Sequence, residues 1–100
     1  MYRYTTETLV FELPIDTSDI VEAFITLYQS STDTRLERSI DEMTKSGKEL
    51  KVRLTQEETA LFKAKNTCRV QLRVRDSLGN AYASRVFKID VNDVMKEGVI

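Results

Sequence analysis

The chain has 100 residues, which is enough for one compact domain with a buried core and too few for two. Hydrophobic residues make up 41% and charged residues 31% of the chain, a composition typical of a folded globular protein and not of a disordered one. The 15 basic and 16 acidic residues leave a net charge of −1, so no overall field attracts nucleic acid or an anionic membrane.

Two strands are predicted in the first third of the chain. The alternation in TLVFELP predicts a strand that Pro14 ends, because proline lacks a backbone donor. The polar stretch 15–20 predicts a connection with one helical turn capped by Thr17 or Ser18. The aromatic and β-branched residues of 23–29 predict a second strand, and the residues expected to face the core are Ala23, Ile25 and Leu27.

The middle of the chain is predicted to hold two more strands. The turn-forming residues 30–34 precede a weakly patterned strand over 35–40, and residues 41–43 are expected to extend its ladder. Ser46-Gly47 is a turn signal. Residues 49–54, ELKVRL, then alternate between charged and apolar side chains, which predicts a strand with one buried face.

A helical corner is predicted next. Thr55 and Glu58 match the capping box, in which a threonine hydroxyl and a glutamate three residues later satisfy each other's backbone donors. We expect a brief helix through about Lys63, ended by Asn66.

The final hairpin, VQLRVRDSLGNAYASRVFKIDV, has the clearest pattern of the chain. Its first strand has an apolar face, formed by Cys68, Val70, Leu72 and Val74. After a turn at Gly79-Asn80, the apolar residues up to Val86 lie in one phase and those from Phe87 lie in the other. A period of two changes phase only through an extra residue, so we predict a β-bulge near Arg85–Phe87.

These elements indicate an all-β fold: an antiparallel immunoglobulin-like β-sandwich of six to seven strands with one short helical corner. No helical pattern of 10 to 15 residues separates the strands, as βαβ units would require. The prediction is a single domain over 1–100, with extended arms at 1–7 and 93–100.

The last hairpin resembles the closing hairpin of immunoglobulin-like and fibronectin type III-like domains, and LTQEETALFKAKNTCRVQLRV resembles the helical corner before it. The cysteine pair and the tryptophan of true immunoglobulin domains are absent. The order of elements, with LPIDTSDIVEAFITLYQ, LTQEET and VQLRVRDSLGNAYAS, is similar to the N-terminal sandwich modules of baseplate and tail proteins in phages and prophages of Gram-positive bacteria. This resemblance implies a virion structural protein of the tail, baseplate or head-tail region.

Catalytic chemistry has little support in the sequence. The chain has no histidine, which removes the commonest general base and metal ligand, and it has no glycine-rich phosphate loop. The single cysteine, Cys68, falls on an apolar strand face, where a thiol behaves as a small hydrophobe. We therefore expect a non-enzymatic protein without a cofactor or a metal.

One weak metal candidate is the stretch Asp90, Asn92 and Asp93, whose oxygen ligands suit calcium and which resembles the cadherin linker motif. The final asparagine of that motif is replaced by Val94, and the other cadherin acidic motifs are missing. A solvated strand end is the interpretation that we favour.

A basic stripe is formed by Arg69, Arg73 and Arg75, with Lys88 nearby and Tyr82 as a ring for stacking. Nucleic acid would use such features, but any exposed strand face shows them, and acidic residues of a neighbouring strand neutralise them. Nucleic acid is not the partner that we expect.

Apolar residues at both ends lie outside the predicted strands, and they are the interaction residues that we predict: Tyr2, Tyr4, Met95, Val99 and Ile100. A frayed tail is the alternative interpretation. Together with the resemblance, they predict a structural module that acts through other virion proteins or through self-association into a homo-oligomer. A monomeric β-sandwich that binds carbohydrate or host-surface ligands is the alternative.

The location follows from what the sequence lacks. Apolar runs are far shorter than the roughly 20 residues that span a bilayer, and MYRYTTE lacks the apolar core of a signal peptide. We expect no membrane partner and a location in the virion or the bacterial cytoplasm.

Overall fold

The computed structural model describes residues 1–100 and is mostly β, with two antiparallel sheets that pack together. The strands are β1 (Thr8–Glu12), β2 (Ile20–Gln29), β3 (Thr34–Ser39), β4 (Thr44–Ser46), β5 (Glu49–Arg53), β6 (Thr67–Asp76), β7 (Ala81–Ala83) and β8 (Phe87–Asp90), and the one α-helix is α1 (Gln56–Thr59). The eight strands exceed the predicted six to seven, because the β4 strand was not predicted and the predicted last strand is divided into β7 and β8. The smaller sheet has the order β1-β5-β4. The larger sheet has the order β3-β2-β6-β7, and β8 also pairs with β6.

The two longest strands, β2 and β6, form the centre of the larger sheet. Ala23 is opposite Val74, Ile25 is opposite Leu72, and Leu27 is opposite Val70 in their ladder. The apolar alternation of both strands therefore reaches one shared face, as the sequence predicted. The predicted core residues of β2, Ala23, Ile25 and Leu27, are fully buried.

The core lies between the sheets and is closed at one end by the helical corner. The smaller sheet supplies the buried alternate residues of β5, Leu50 and Val52, and the next residue in the same phase, Leu54. The largest fully buried side chain is that of Phe62. Half-buried residues of β1 pack on the same cluster. The predicted core faces of residues 49–54 and 68–74 are confirmed.

The capping box at the corner is present in the structure. The backbone N–H of Glu58 donates to Thr55 Oγ1 over 3.1 Å, and Glu58 Oε1 accepts from the backbone N–H of Thr55 over 2.9 Å. The α-helix ends at Thr59, four residues before the predicted Lys63. The chain turns instead into β6 through Lys65, which has a left-handed φ of 63°.

Two connections differ from the sequence-based expectations. Residues 41–43 do not extend a ladder, because Ile40–Glu42 form a 3-10 turn with a capping box between Ser39 and Glu42. The early helical turn is present at Thr17–Asp19, but its cap is Asp16, whose carboxylate accepts from the Ser18 N–H over 2.9 Å. Thr17 instead faces inward and donates its hydroxyl to the Gly47 carbonyl over 2.6 Å.

The predicted bulge separates β7 from β8. Three residue steps lie between Val70 and Arg73 on β6, while four lie between their partners Phe87 and Ala83. The extra residue falls in the stretch 84–86, at the edge of the predicted range. Ser84 pairs the backbone groups of Leu72 at this break in the ladder. Its N–H donates to the Leu72 carbonyl over 2.8 Å, and its Oγ accepts from the Leu72 N–H over 3.0 Å.

None of the helical segments is long and apolar enough to cross a bilayer.

Candidate interaction surface

An open apolar groove runs between the two sheets, under the edge formed by β1. Its cavity volume is about 410 Å³, and a second hollow of about 250 Å³ continues it toward Pro14 and Tyr82. The rings of Phe11 and Phe87 meet across it, with their centroids 6.4 Å apart and their planes tilted by 58°. Eight of the eleven lining residues are hydrophobic, so this side of the molecule presents core-like surface to solvent.

The backbone of β1 is unpaired along the rim of this groove. Leu13 N–H donates to Lys48 O, and Leu54 N–H donates to Glu7 O, both over 2.8 Å. Because hydrogen bonding alternates along an antiparallel strand, the odd-numbered residues bond to β5. The N–H and C=O groups of Thr8, Val10 and Glu12 therefore point away from β5, where β1 has no neighbouring strand.

The opposite rim is formed by β8 and the bulge before it. The ladder of β8 with β6 places Phe87 and Ile89 toward the groove and Lys88 on the outer face. The guanidinium of Arg85 lies over the Phe87 ring at 4.9 Å. This rim thus combines a broken strand with two basic residues, unlike the β1 rim.

The predicted basic stripe lies on the outer face of the larger sheet. Arg69 is directly opposite Lys88, which places the lysine beside the stripe as predicted. Arg73 is opposite Phe24 and Arg75 is opposite Glu22, and no ion pair within 4.0 Å involves the three arginines. Glu22 is thus an acidic residue of the neighbouring strand opposite the stripe, as expected, but it makes no close ion pair with Arg75.

The prediction that Tyr82 lies beside that stripe was wrong. Tyr82 is opposite the buried Val74, so its ring belongs to the groove side, and its hydroxyl donates to Asp76 over 3.3 Å. The rings on the basic face are Phe24 and Tyr28. Sequence reasoning missed both, because their place beside the arginines depends on the β2–β6 register and not on spacing along the chain.

The weak calcium candidates, Asp90, Asn92 and Asp93, do not form a cluster of ligands. Asp93 Oδ1 accepts from Arg3 Nη1 over 3.0 Å, so its charge is already paired. Asn92 bonds through its backbone to the N-terminal segment. No group of three or more histidine, cysteine, aspartate or glutamate residues is arranged to hold a metal ion.

The N-terminal arm is fixed on the body of the domain. Tyr2 forms a parallel bridge with Asn92, and the Arg3 side chain donates to the backbone carbonyls of Ala60 and Phe62. Tyr2 remains 56% exposed. Tyr4 adopts a left-handed φ of 58° and lies under the Arg3 guanidinium.

The C-terminal arm is attached at its last residue. The Gln56 side chain both donates to and accepts from the backbone of Ile100, over 2.8 and 2.9 Å. Met95, Val99 and Ile100 all keep exposed side chains. Four of the five predicted interaction residues at the two ends are therefore exposed and Tyr4 is half-buried, and none of the five lines the groove.

We expect Cys68 to be unreactive in the folded protein. The thiol is fully buried, and burial raises its pKa to about 11, although the Tyr28 backbone acts in the opposite direction. Its thiolate fraction at pH 8 is about 100-fold below that of an ordinary thiol. Labelling with Ellman's reagent should therefore be at least that much slower in buffer than in denaturant. An exposed thiol in a V86C variant is the control, and equal native rates for the two cysteines would contradict the burial of Cys68.

Comparisons with known proteins found no matching family model, no matching curated protein and no matching solved structure.

Proposed function

We propose that this domain is a non-catalytic structural module that assembles with other protein chains by strand addition. The observation that carries the proposal is the free edge of β1 above an open apolar groove. Strand addition supplies main-chain hydrogen bonds to such an edge, and alternate apolar side chains fill the adjoining pockets. The unpaired groups of Thr8, Val10 and Glu12 and the rings of Phe11 and Phe87 provide these two requirements.

The strand orders support an immunoglobulin-like arrangement from which one edge strand is missing. Immunoglobulin sandwiches divide their strands into an ABED sheet and a CFG sheet. If β1 corresponds to strand B, then β5 and β4 correspond to E and D, and β2, β6 and β7–β8 correspond to C, F and G. Strand A would then lie beside β1, which is where the groove opens.

The setting that we propose is a phage or prophage virion, in the tail, baseplate or head-tail region. Its support is the resemblance of the last hairpin and of the element order to phage sandwich modules. Assembly by strand addition suits such a particle, since repeated copies of one chain present the same edge at each position.

The ionisable groups support a non-catalytic role. Three carboxylates have pKa values displaced from the ordinary range, and all three are lowered. The Ser18 backbone N–H lowers the pKa of Asp16. Partial burial acts to raise the pKa values of Asp76 and Glu58, but hydrogen bonds from their neighbours outweigh it and lower both. Each carboxylate is thus held ionised by its hydrogen bonds, Asp16 as a helix cap, Asp76 within a turn and Glu58 in a capping box and ion pair, and is not poised as a proton donor.

Binding of an extended peptide tests this proposal. We expect the fluorescently labelled peptide KTVTVTVK to bind, as measured by anisotropy, because its alternating side chains fit the groove and its backbone fits the β1 edge. The matched control is the same peptide N-methylated along its backbone, which keeps the side chains but removes the donors. Equal binding of both peptides would contradict strand addition.

The alternative function, a monomeric sandwich that binds carbohydrate or host-surface ligands, predicts a different result. A glycan array would then give saturable binding while the peptide gives none. The groove volume of about 410 Å³ falls within the usual range for small-ligand sites. Its lining offers few polar groups to orient a sugar, so the strand-addition function is the one that we propose.

A further inference from the structure

We propose that the strand added at β1 is the β1 strand of a second copy of this chain, placed antiparallel about a twofold axis at Val10. This inference rests on the proposed function and names its partner. The result would be one continuous six-stranded sheet, with the order β4-β5-β1 followed by β1-β5-β4 of the second copy.

The character of the four exposed edges selects β1. Natural sheets protect edges with charged side chains, bulges or short strands, since unprotected edges pair with other chains. The β3 edge carries Arg35, Glu37 and Arg38, and the β4 edge has only three residues, one of them Lys45. The β7–β8 edge is broken by a bulge.

The β1 edge is less protected than the other three. It is a regular five-residue strand without a lysine, an arginine or a bulge, and Glu12 is its only charged residue. Its central outward side chain, Val10, is 51% exposed. The other three edges of the domain are blunted and β1 is not, which indicates that pairing at β1 is tolerated or used.

The backbone register permits self-pairing. The free N–H and C=O groups belong to the even-numbered residues, so a partner strand must also present even-numbered residues opposite them. Placing Val10 opposite Val10 of the second copy puts Thr8 opposite Glu12 in both directions. All five residues of β1 are then paired, and every free backbone group of the edge gains a partner.

The side chains are complementary in the same register. On the outer face, the two Val10 side chains cover each other, and Glu12 of one copy lies opposite the neutral Thr8 of the other. Arg53 is the β5 partner of Thr8, so it lies on the same row as the incoming Glu12. On the inner face, Leu9 meets Phe11 of the second copy above the groove. No like charges are directly opposed across the new interface, although Glu12 lies opposite Glu49 within its own copy.

Charge substitutions at Val10 test the pairing in solution. We expect sedimentation equilibrium to show that the wild-type chain is a dimer. The V10E substitution should raise the dissociation constant of this dimer about tenfold or more. The introduced glutamate would lie opposite its counterpart in the second copy, and the two like charges would repel. Within one copy it would lie opposite Lys51, so the fold should be retained. A V21E variant is the control, because Val21 is similarly exposed at 47% but lies off the edge.

Mixing provides the decisive measurement. V10E and V10K should each be monomeric alone and should form a heterodimer when combined, since opposite charges then meet at the axis. Oxidation of a V10C variant should give a covalent dimer, because Cα atoms of such a pair lie about 5.5 Å apart, within disulfide range. A T8C variant should not, since the two Thr8 positions lie at opposite ends of the paired strands.

A monomeric wild type, a dimer insensitive to V10E, or equal crosslinking of T8C and V10C would overturn the inference. The proposed function is judged separately by the peptide measurement. If the chain is monomeric but binds the peptide, only the assignment of a second copy as the partner is wrong. If the chain is monomeric and does not bind the peptide, the proposed function is wrong as well.

Discussion

Replacing Phe62 with alanine is expected to lower the free energy of unfolding by about 3 to 5 kcal/mol. Phe62 is the largest side chain that is fully buried, and it closes the end of the core between α1 and β6. Its removal loses the transfer free energy of the ring and leaves a cavity that the short corner cannot fill. Urea unfolding monitored by circular dichroism measures the change through the transition midpoint.

The neighbouring Leu61 offers a matched control for this substitution. Leu61 occupies the same corner but is 56% exposed, so L61A should change stability by about 0.5 kcal/mol or less. The corner also anchors the N-terminal segment, because the Phe62 carbonyl accepts from Arg3 Nε over 2.8 Å. Similar losses for L61A and F62A would mean that the backbone of the corner, and not the buried ring, stabilises this end of the domain.

Much of the sheet structure could be predicted because it follows a local period. In β2, β5 and β6 the alternate residues are strongly apolar, and only one face of each strand can be buried. The bulge was predictable for the same reason, since an odd residue between two alternating runs must be accommodated somewhere. The capping box of Thr55 and Glu58 was equally predictable, because it depends on two residues close together in the sequence.

The length of the corner was not predictable from that local chemistry. Residues beyond Thr59 leave the helix because tertiary bonds take over their backbone groups. Buried Gln29 donates to the Lys63 carbonyl over 2.8 Å and accepts from the Lys63 N–H over 2.7 Å. A glutamine in the phase of the core looks like a defect in an apolar pattern, and only its partner 34 residues away explains it.

The candidate interaction surface could be predicted even less. Periodicity tells which face of β1 is buried, but the groove arises because β1 has one neighbour instead of two, which is a property of the sheet order. Terminal apolar residues were a reasonable signal for an interaction, yet the Arg3 bonds that fix the N-terminal segment are long-range and leave no local trace. Edges and their exposure are determined by topology and not by composition.

The ion pair between Arg38 and Glu58 joins the larger sheet to the helical corner. Arg38 lies in the inward phase of β3, opposite Ile25, and its Nη1 donates to Glu58 Oε1. Its Nε lies 2.6 Å from Glu42 Oε2 in an ion pair that lacks the alignment of a hydrogen bond. The Arg38 and Glu58 side chains are only 14% and 18% exposed, so solvent screens their attraction weakly.

We expect an E58Q substitution to lower the free energy of unfolding by about 1.5 to 3 kcal/mol at pH 7, the usual range for a hydrogen bond to a charged group. Glutamine keeps the capping box, so the loss reports on the charge. The E57Q variant is the control, since Glu57 lies in the same first turn of α1 but is exposed. It should change stability by about 0.5 kcal/mol or less.

The dependence of this loss on pH identifies its origin. Partial burial acts to raise the pKa of Glu58, but the hydrogen bonds from Arg38 and Thr55 outweigh it and hold the pKa below its ordinary value. A carboxylate with a lowered folded-state pKa stabilises the fold above its unfolded-state pKa of about 4.3, and this contribution disappears as the pH falls through the folded-state value. The wild type and E58Q should therefore differ fully at pH 6 to 7 and converge on acidification below about pH 4. A difference that does not shrink at all as the pH falls from 6 to about 2 would show that glutamine disturbs packing at the corner and that the charge of Glu58 does not stabilise it.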